Sequence, residues 1–256
     1  MDIPENKKGL SGSTLKLIAV VSMLIDHFGA SVFLLLMQLR YHEIPGAWMS
    51  FGLAQMESCY EILRNVGRLA FPIYCFLLIE GVFHTGNKIK YIGRLLAFAL
   101  ISEIPFDLAI YHRVFSFNHQ NVFFELALGV LTICLIQKAE EKVRLFFPVL
   151  LGITAISSFL AEILHFDYGW FGIVCITLLY LTAETRINQV IVGAFGFAWE
   201  ITAPLAFLFI WFYNGKRGMR IKYLFYVVYP AHLAVYALLC MWIVNRIGLN
   251  GYFRLI

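Results

Sequence analysis

Charge is scarce in this chain. Only 14% of its 256 residues are Asp, Glu, Lys or Arg, against roughly 25% in an average soluble domain, while 61% are hydrophobic and the mean hydropathy is +0.77. No polar stretch long enough to fold by itself interrupts the apolar runs, which excludes a separate soluble domain and leaves one bundle embedded in lipid. The five cysteines (59, 75, 134, 175 and 240) include no Cys-x-x-Cys pair, and an odd total rules against a closed disulfide framework or a zinc site. There is no Walker or dinucleotide fingerprint, no internal repeat and no low-complexity segment.

What is present is a succession of apolar runs of membrane-spanning length. At about 20 residues per crossing, spans fall near 15–38, 67–84, 91–111, 121–137, 145–164, 168–183 and 222–244. The first run is too long for the apolar core of a signal peptide and contains Asp26 and His27, so it reads as a retained helix. Residues 46–63, with Gln55, Glu57 and Glu61, read as an amphipathic interfacial helix. Residues 187–213 are too long for one crossing and hold Glu200 and Pro204 near their centre. The positive-inside rule arbitrates. An N-terminus in the cytoplasm gathers Lys7, Lys8, Lys16, Lys88, Lys90, Arg94, Lys138, Lys142, Arg144 and Arg186 on one side. The basic loop 214–222 joins them only if 187–213 enters and leaves by the same face, so a re-entrant or broken pair kinked at Pro204 is expected there. The expectation is an all-α polytopic bundle of about 8–10 membrane helices in the cytoplasmic membrane. Its divisions are an N-terminal segment (1–13), one transmembrane domain (14–245) and a C-terminal tail (246–256).

An ionised group at a helix centre costs about 2.5 to 3.5 kcal/mol on insertion scales, and this chain places several there. Asp26 and His27 lie in the middle of the first span, and Glu103 and His232 fall near the same depth on other helices. One such residue is ordinarily a hydrogen-bonded packing group. Four at one depth on three helices predict a shared polar chamber. Glu80 and His84, four apart, share a helix face, and the cations Arg94, Lys216, Arg217 and Arg220 cluster with them at the cytoplasmic ends of the spans. These cations set topology, and with the flexible Gly215 and Gly218 they also suit a phosphate. Asp107, Glu125 and Asp167 form an acidic set toward the outer side, near Arg68 and Arg113. Tyr226 and Tyr229 are spaced to share a face with His232.

Seven segments together give the chain a family likeness: Leu15-Lys-Leu-Ile-Ala with Asp26-His27, Gly67-Arg-Leu-Ala-Phe-Pro-Ile, Glu80-Gly-Val-Phe-His-Thr85, Ser102-Glu-Ile-Pro-Phe-Asp107, Asp167-Tyr-Gly169, Tyr213-Asn-Gly-Lys-Arg-Gly218 and Tyr229-Pro-Ala-His232. In this order, over residues 10–235, the chain resembles the TraX family, named for a conjugation-system protein that acetylates the N-terminus of pilin and similar to the wider integral-membrane acyltransferases. The resemblance implies an acetyl group carried from cytoplasmic acetyl-CoA to an acceptor protein, peptide or envelope glycan in or across the membrane, with no metal and no nucleic acid. It makes His27 the histidine of the first span. On that reading His27 is the base, Asp26 or Glu103 orients it, and His232 with Tyr229 polarises the carbonyl or holds the acceptor. Arg94, Lys216 and Arg217, beside Glu80 and His84, hold the CoA phosphates. Asp107, Glu125, Asp167 and Tyr229 face the acceptor. The competing expectations are a proton-coupled secondary transporter, in which the buried acids and histidines form a relay, and a non-catalytic envelope assembly factor.

Overall fold

The computed structural model describes residues 9–142, 146–219 and 222–248. Lys7, Lys8, Arg144, Arg220 and most of the 246–256 tail lie outside the described residues, as do the side chains of Lys142 and Lys222. Among the described residues the regular structure is helical throughout, joined by turns and loops, apart from two isolated bridges, Leu10 with Tyr213 and Gln120 with Phe166.

Helix α1 (Gly12–Phe28) starts where Ser11 accepts a hydrogen bond from the Thr14 amide at 3.2 Å. It buries Leu15, Ala19 and Met23 at four-residue spacing. A π-helical turn, Gly29–Phe33, carries the rod without a break into α2 (Leu34–Tyr41). The whole rod is 30 residues, about 45 Å, and is longer than a hydrocarbon core of about 30 Å. Helix α3 (Leu53–Gly67) was expected to lie flat on the membrane surface. It packs instead against α1 and α2 through Met56 and Gly67, and only Arg68 and Leu69 separate it from α4 (Ala70–His84). Gly67 is required there, because a Cβ would overlap the Asp26 carboxylate on α1.

Helix α5 (Lys88–Ile110), capped by Asn87 through the Lys90 amide at 2.8 Å, and α11 (Lys222–Arg246) form the most extensive helix pair, each with one internal proline, Pro105 and Pro230. Helices α6 (Val122–Lys142), α7 (Phe146–Ile163) and α8 (Gly169–Leu181) complete the bundle. Among the described residues five helical rods are long and apolar enough to cross a bilayer. Helix α5 is long enough, but its charges (Lys88, Lys90, Arg94, Glu103 and Asp107) set it apart. The chain is a polytopic membrane protein.

The stretch 187–213 is the expected pair. Helix α9 (Arg186–Gly196) runs up, a turn follows, and a 3₁₀ turn (Ala203–Leu205) with α10 (Ala206–Trp211) runs back. Arg186 sits 3.7 Å from Glu80 and Tyr213 pairs with Leu10, so both feet stand at one end of the bundle; the tip is held by Arg68 to Glu200 at 2.8 Å. Each limb is about 16 Å, half a hydrocarbon core. Pro204 does not kink a helix: it opens the returning limb, where a proline loses no backbone hydrogen bond.

Lipid tails are as apolar as leucine, so close packing rather than water exclusion holds such helices together. Gly193 is where the two limbs touch, and a Cβ there would overlap the Phe207 ring and lie 2.7 Å from Leu179. Gly193→Val is therefore expected to cost about 1 to 3 kcal/mol and to lower the melting temperature in detergent. Adding Phe207→Ala should recover part of that loss, and a double variant no better than the single one would show that the limbs are not sterically coupled.

Candidate functional site

The bundle brings together two histidines separated by 205 residues. His27 Nδ1 lies 2.7 Å from His232 Nε2, and the two ring planes are parallel with centroids 5.0 Å apart, the geometry of an end-to-end, in-plane hydrogen bond. The direction of that bond follows from a third group. His232 Nδ1 is 2.8 Å from the Val228 carbonyl, which can only accept. In the neutral pair His232 therefore carries its proton on Nδ1, its Nε2 accepts from His27 Nδ1–H, and His27 keeps a free lone pair on Nε2. Tyr229 meets both rings edge-on, at 5.7 Å from His27 and 5.6 Å from His232, while Tyr236 abuts His232 and donates to the Leu24 carbonyl at 3.1 Å. The π turn begins two residues after His27, and Ser31 donates back to the His27 carbonyl. Such turns recur at functional sites because they re-aim neighbouring side chains.

The other two members of the expected catalytic set are turned elsewhere. Asp26 Oδ2 forms an ion pair with Arg64 of α3 at 2.9 Å; adjacent helical residues point about 100° apart, so it cannot also face the His27 partner. Glu103 accepts from the backbone amide of Asn121 at 3.3 Å and from its side chain, and Asn121 in turn donates to the Ala99 carbonyl and accepts from the Phe123 amide to start α6. Glu103 thus fixes the first turn of α6 rather than His27.

A cavity of about 550 Å³ opens at the basic end, a size usual for small-molecule sites. Lys16, His84, Arg94 and Arg217 line it with Glu80, Tyr91 and Tyr213, and at its deep end lie Val122, Phe123, Leu126 and Tyr229. Arg94 stacks over Tyr91 at 5.6 Å, and its buried Nε has no protein acceptor among the described residues. His84 Nδ1 is held by the Glu80 carbonyl at 2.7 Å. Of the five residues expected to hold phosphates, Arg94, Arg217 and His84 reach the cavity as cations or donors. Glu80 is tied to Arg186, and Lys216 is exposed outside the lining. The basic loop is strapped down: the Gly12 and Ser13 amides donate to the Lys216 and Arg217 carbonyls at 2.8 and 3.0 Å, and Gly218, at φ +72°, has no room for a Cβ beside Ser11 and Ser13.

The acidic set is dispersed. Asp107 is buried and caps the following loop by accepting from the Ser116 amide at 2.7 Å; Glu125 is fully buried, its carboxylate against Gly172 of α8. Tyr229 belongs to the deep end of the basic cavity and to the histidines rather than to this set. Asp167 alone is exposed, at the end of the bundle away from the basic cavity. The protein around it raises its carboxyl above the usual range, with Asp26 adding to that effect and Arg64 and Arg68 opposing it, while contact with water limits the shift.

Sequence reasoning missed Arg64 as the partner of Asp26, Lys16 and Tyr91 as cavity residues, and Asn121. An unpaired acid in a span is itself a signal that a cation must come from another helix. Asn before Val122-Phe-Phe-Glu125 is a helix-cap signature. Lys16 and Tyr91 had no local signal.

Set against known proteins, the chain matches the family model described as TraX protein over residues 11–240. It is 32% identical over 255 residues to the probable fimbrial assembly protein FimC, serogroup H1, of Dichelobacter nodosus, an alignment covering 88% of this chain and 93% of that protein. No solved structure matches it. With its seven sequence segments spread over one bundle and the family model covering all but its ends, this chain belongs to the TraX family.

Proposed function

We propose that this protein is an integral-membrane acetyltransferase that takes acetyl groups from acetyl-CoA on the basic face, the cytoplasmic side, to an amine or hydroxyl of an envelope acceptor such as a pilin or a glycan. The observation that carries this reading is the His27–His232 pair, oriented by Val228 and touching Tyr229, which also lines a cavity that holds Lys16, Arg94 and Arg217.

His27 Nε2 takes the proton of the acceptor as its nitrogen or oxygen attacks the thioester carbonyl. The charge that develops on His27 is shared through the Nδ1–H bond with His232, which plays the part of an orienting acceptor. The tetrahedral intermediate collapses by breaking the carbon–sulfur bond, and the proton passes to the departing thiolate. Lys16, Arg94 and Arg217, all in the cavity lining, hold the CoA phosphates, with the Arg94 guanidinium braced over the Tyr91 ring. Asp167, with the Asp26–Arg64 and Arg68–Glu200 pairs, borders the approach of the acceptor from the other end.

A second reading, a non-catalytic factor for fimbrial assembly, draws on the name of the Dichelobacter nodosus relative. Purified protein with labelled acetyl-CoA and the envelope fraction separates the two. His27→Ala and His232→Ala are each expected to lose roughly 10² to 10⁴ in transfer rate while still inserting, and Asp26→Asn to lose far less. Transfer by His27→Ala at the native rate would remove His27 from the chemistry, and envelope assembly surviving that variant without transfer would favour the second reading.

Binding makes a separate prediction. Arg94→Ala and Arg217→Ala should each weaken acetyl-CoA by roughly ten- to a hundredfold, as the loss of one charge-assisted hydrogen bond does, whereas Lys216→Ala should leave affinity unchanged. Calorimetry in detergent reads this directly. Equal affinities across all three would mean that the cations only set topology.

A further inference from the structure

The deep end of the basic cavity is a wall of rings. Phe123, in the first turn of α6, meets Tyr229 edge-to-face with centroids 4.9 Å apart, and Tyr229 is the residue that touches both His27 and His232. Phe123 cannot swing aside. Tyr226 stacks near it at 6.1 Å, Phe98 lies at 6.3 Å, and Phe98 and Tyr226 stack on one another at 4.9 Å. Leu126, one turn further along the same face of α6, and Leu78 of α4 close the sides; Phe123, Leu126, Leu78 and Tyr229 are all buried. The start of α6 is itself fixed by the Asn121 cap and its bond to Glu103, so the wall has a rigid backbone behind it.

We propose that Phe123, braced by Phe98 and Tyr226, is the floor of an acyl pocket and limits the donor to a two-carbon group. The inference rests on the acetyltransferase reading and goes beyond it by naming what excludes longer thioesters. A carbonyl carbon brought along the cavity toward His27 stops against Tyr229. An acetyl methyl then fills the remaining space, and each further methylene runs into the Phe123 ring. A tightly packed interior does not absorb added methylenes without displacing neighbours.

The test is turnover of acetyl-, propionyl- and butyryl-CoA by the full chain in detergent, read as the ratio of kcat/KM for butyryl to acetyl so that general losses of activity cancel. One methylene against a closed pocket is worth roughly 10- to 200-fold, so the native protein should prefer acetyl over butyryl by at least a hundredfold. Phe123→Ala should raise the butyryl-to-acetyl ratio at least tenfold, and Phe123→Leu, a smaller perturbation of folding, should raise it by less. Tyr229→Phe keeps the volume and should leave the ratio where it was. Native ratios in both Phe123 variants, or a native protein that uses butyryl-CoA as well as acetyl-CoA, would overturn the pocket. If no thioester is turned over and none raises the melting temperature of the native protein, the acetyltransferase reading fails, and the pocket with it.

Discussion

A single hydrogen bond between imidazoles ties the first helix of this protein to its last. His27 and His232 stand far apart in the chain, and in lipid neither ring has water to turn to. Each needs a partner, and the Val228 carbonyl decides which ring donates. That choice has structural reach. Tyr236 bonds the Leu24 carbonyl across the same pair of helices, the π turn after His27 is pinned by Ser31, and Tyr229 is held edge-on to both rings. With α11 fixed on α1, the long contact of α11 with α5 places Phe98 and Arg94 beside the cavity.

The two ends of the bundle use charge differently. At the end opposite the basic cavity, charges cancel in pairs: Asp26 with Arg64 joins α1 to α3, and Arg68 with Glu200 joins the α3–α4 turn to the tip of the α9–α10 hairpin. Each side chain in these pairs retains between 18% and 26% exposure, so water still reaches them and the penalty for desolvating a full charge is reduced. At the basic end Arg186 is matched by Glu80 and by the faces of Phe76 and Tyr213. Arg94 and Arg217 project into a cavity instead. Paired charges staple helices, whereas the cations that line the cavity are the basis for proposing an anionic ligand there.

The fold was legible where a residue type has one physical use. Apolar runs of about 20 residues located the long helices to within a few residues. The Lys and Arg of the loop after Tyr213 forced the 187–213 stretch to return to the side from which it started, which is how α9 and α10 run. His27 and His232 stood out because an imidazole in lipid needs a reason. What stayed hidden depended on rotation about helix axes. Asp26 and His27 are neighbours in sequence, yet they face different helices, and nothing local says that Arg64 rather than Glu103 completes the set. Tyr229 shares a face with His232, as its spacing implied, but whether that face looked toward the basic cavity or toward the acidic set depended on where α6 begins, and that is fixed by Asn121. Residues 46–63 misled because their polar face suits a membrane surface as well as it suits a helix stacked on α1; only Gly67, allowing close approach to Asp26, distinguishes the two.

The position of the break in the bundle bears on the transporter alternative. In secondary transporters an interrupted helix presents its free backbone ends to the substrate at mid-membrane, and a matching interruption in the other half of the chain lets the two halves rock. Here the α9–α10 turn ends at Arg68 and Thr202 bonds the Asn65 carbonyl, so the break is spent on holding α3 and α4, away from the histidines. No second hairpin of this kind occurs among the described residues. The polar centre is instead carried by uninterrupted α11 and by a rod that only widens by one π turn, locked to each other by hydrogen bonds at His27, His232 and Tyr236. A site whose two walls are cross-linked in this way keeps one geometry, which suits positioning a base against a reacting carbonyl and works against alternating exposure of the same groups to the two faces of the membrane.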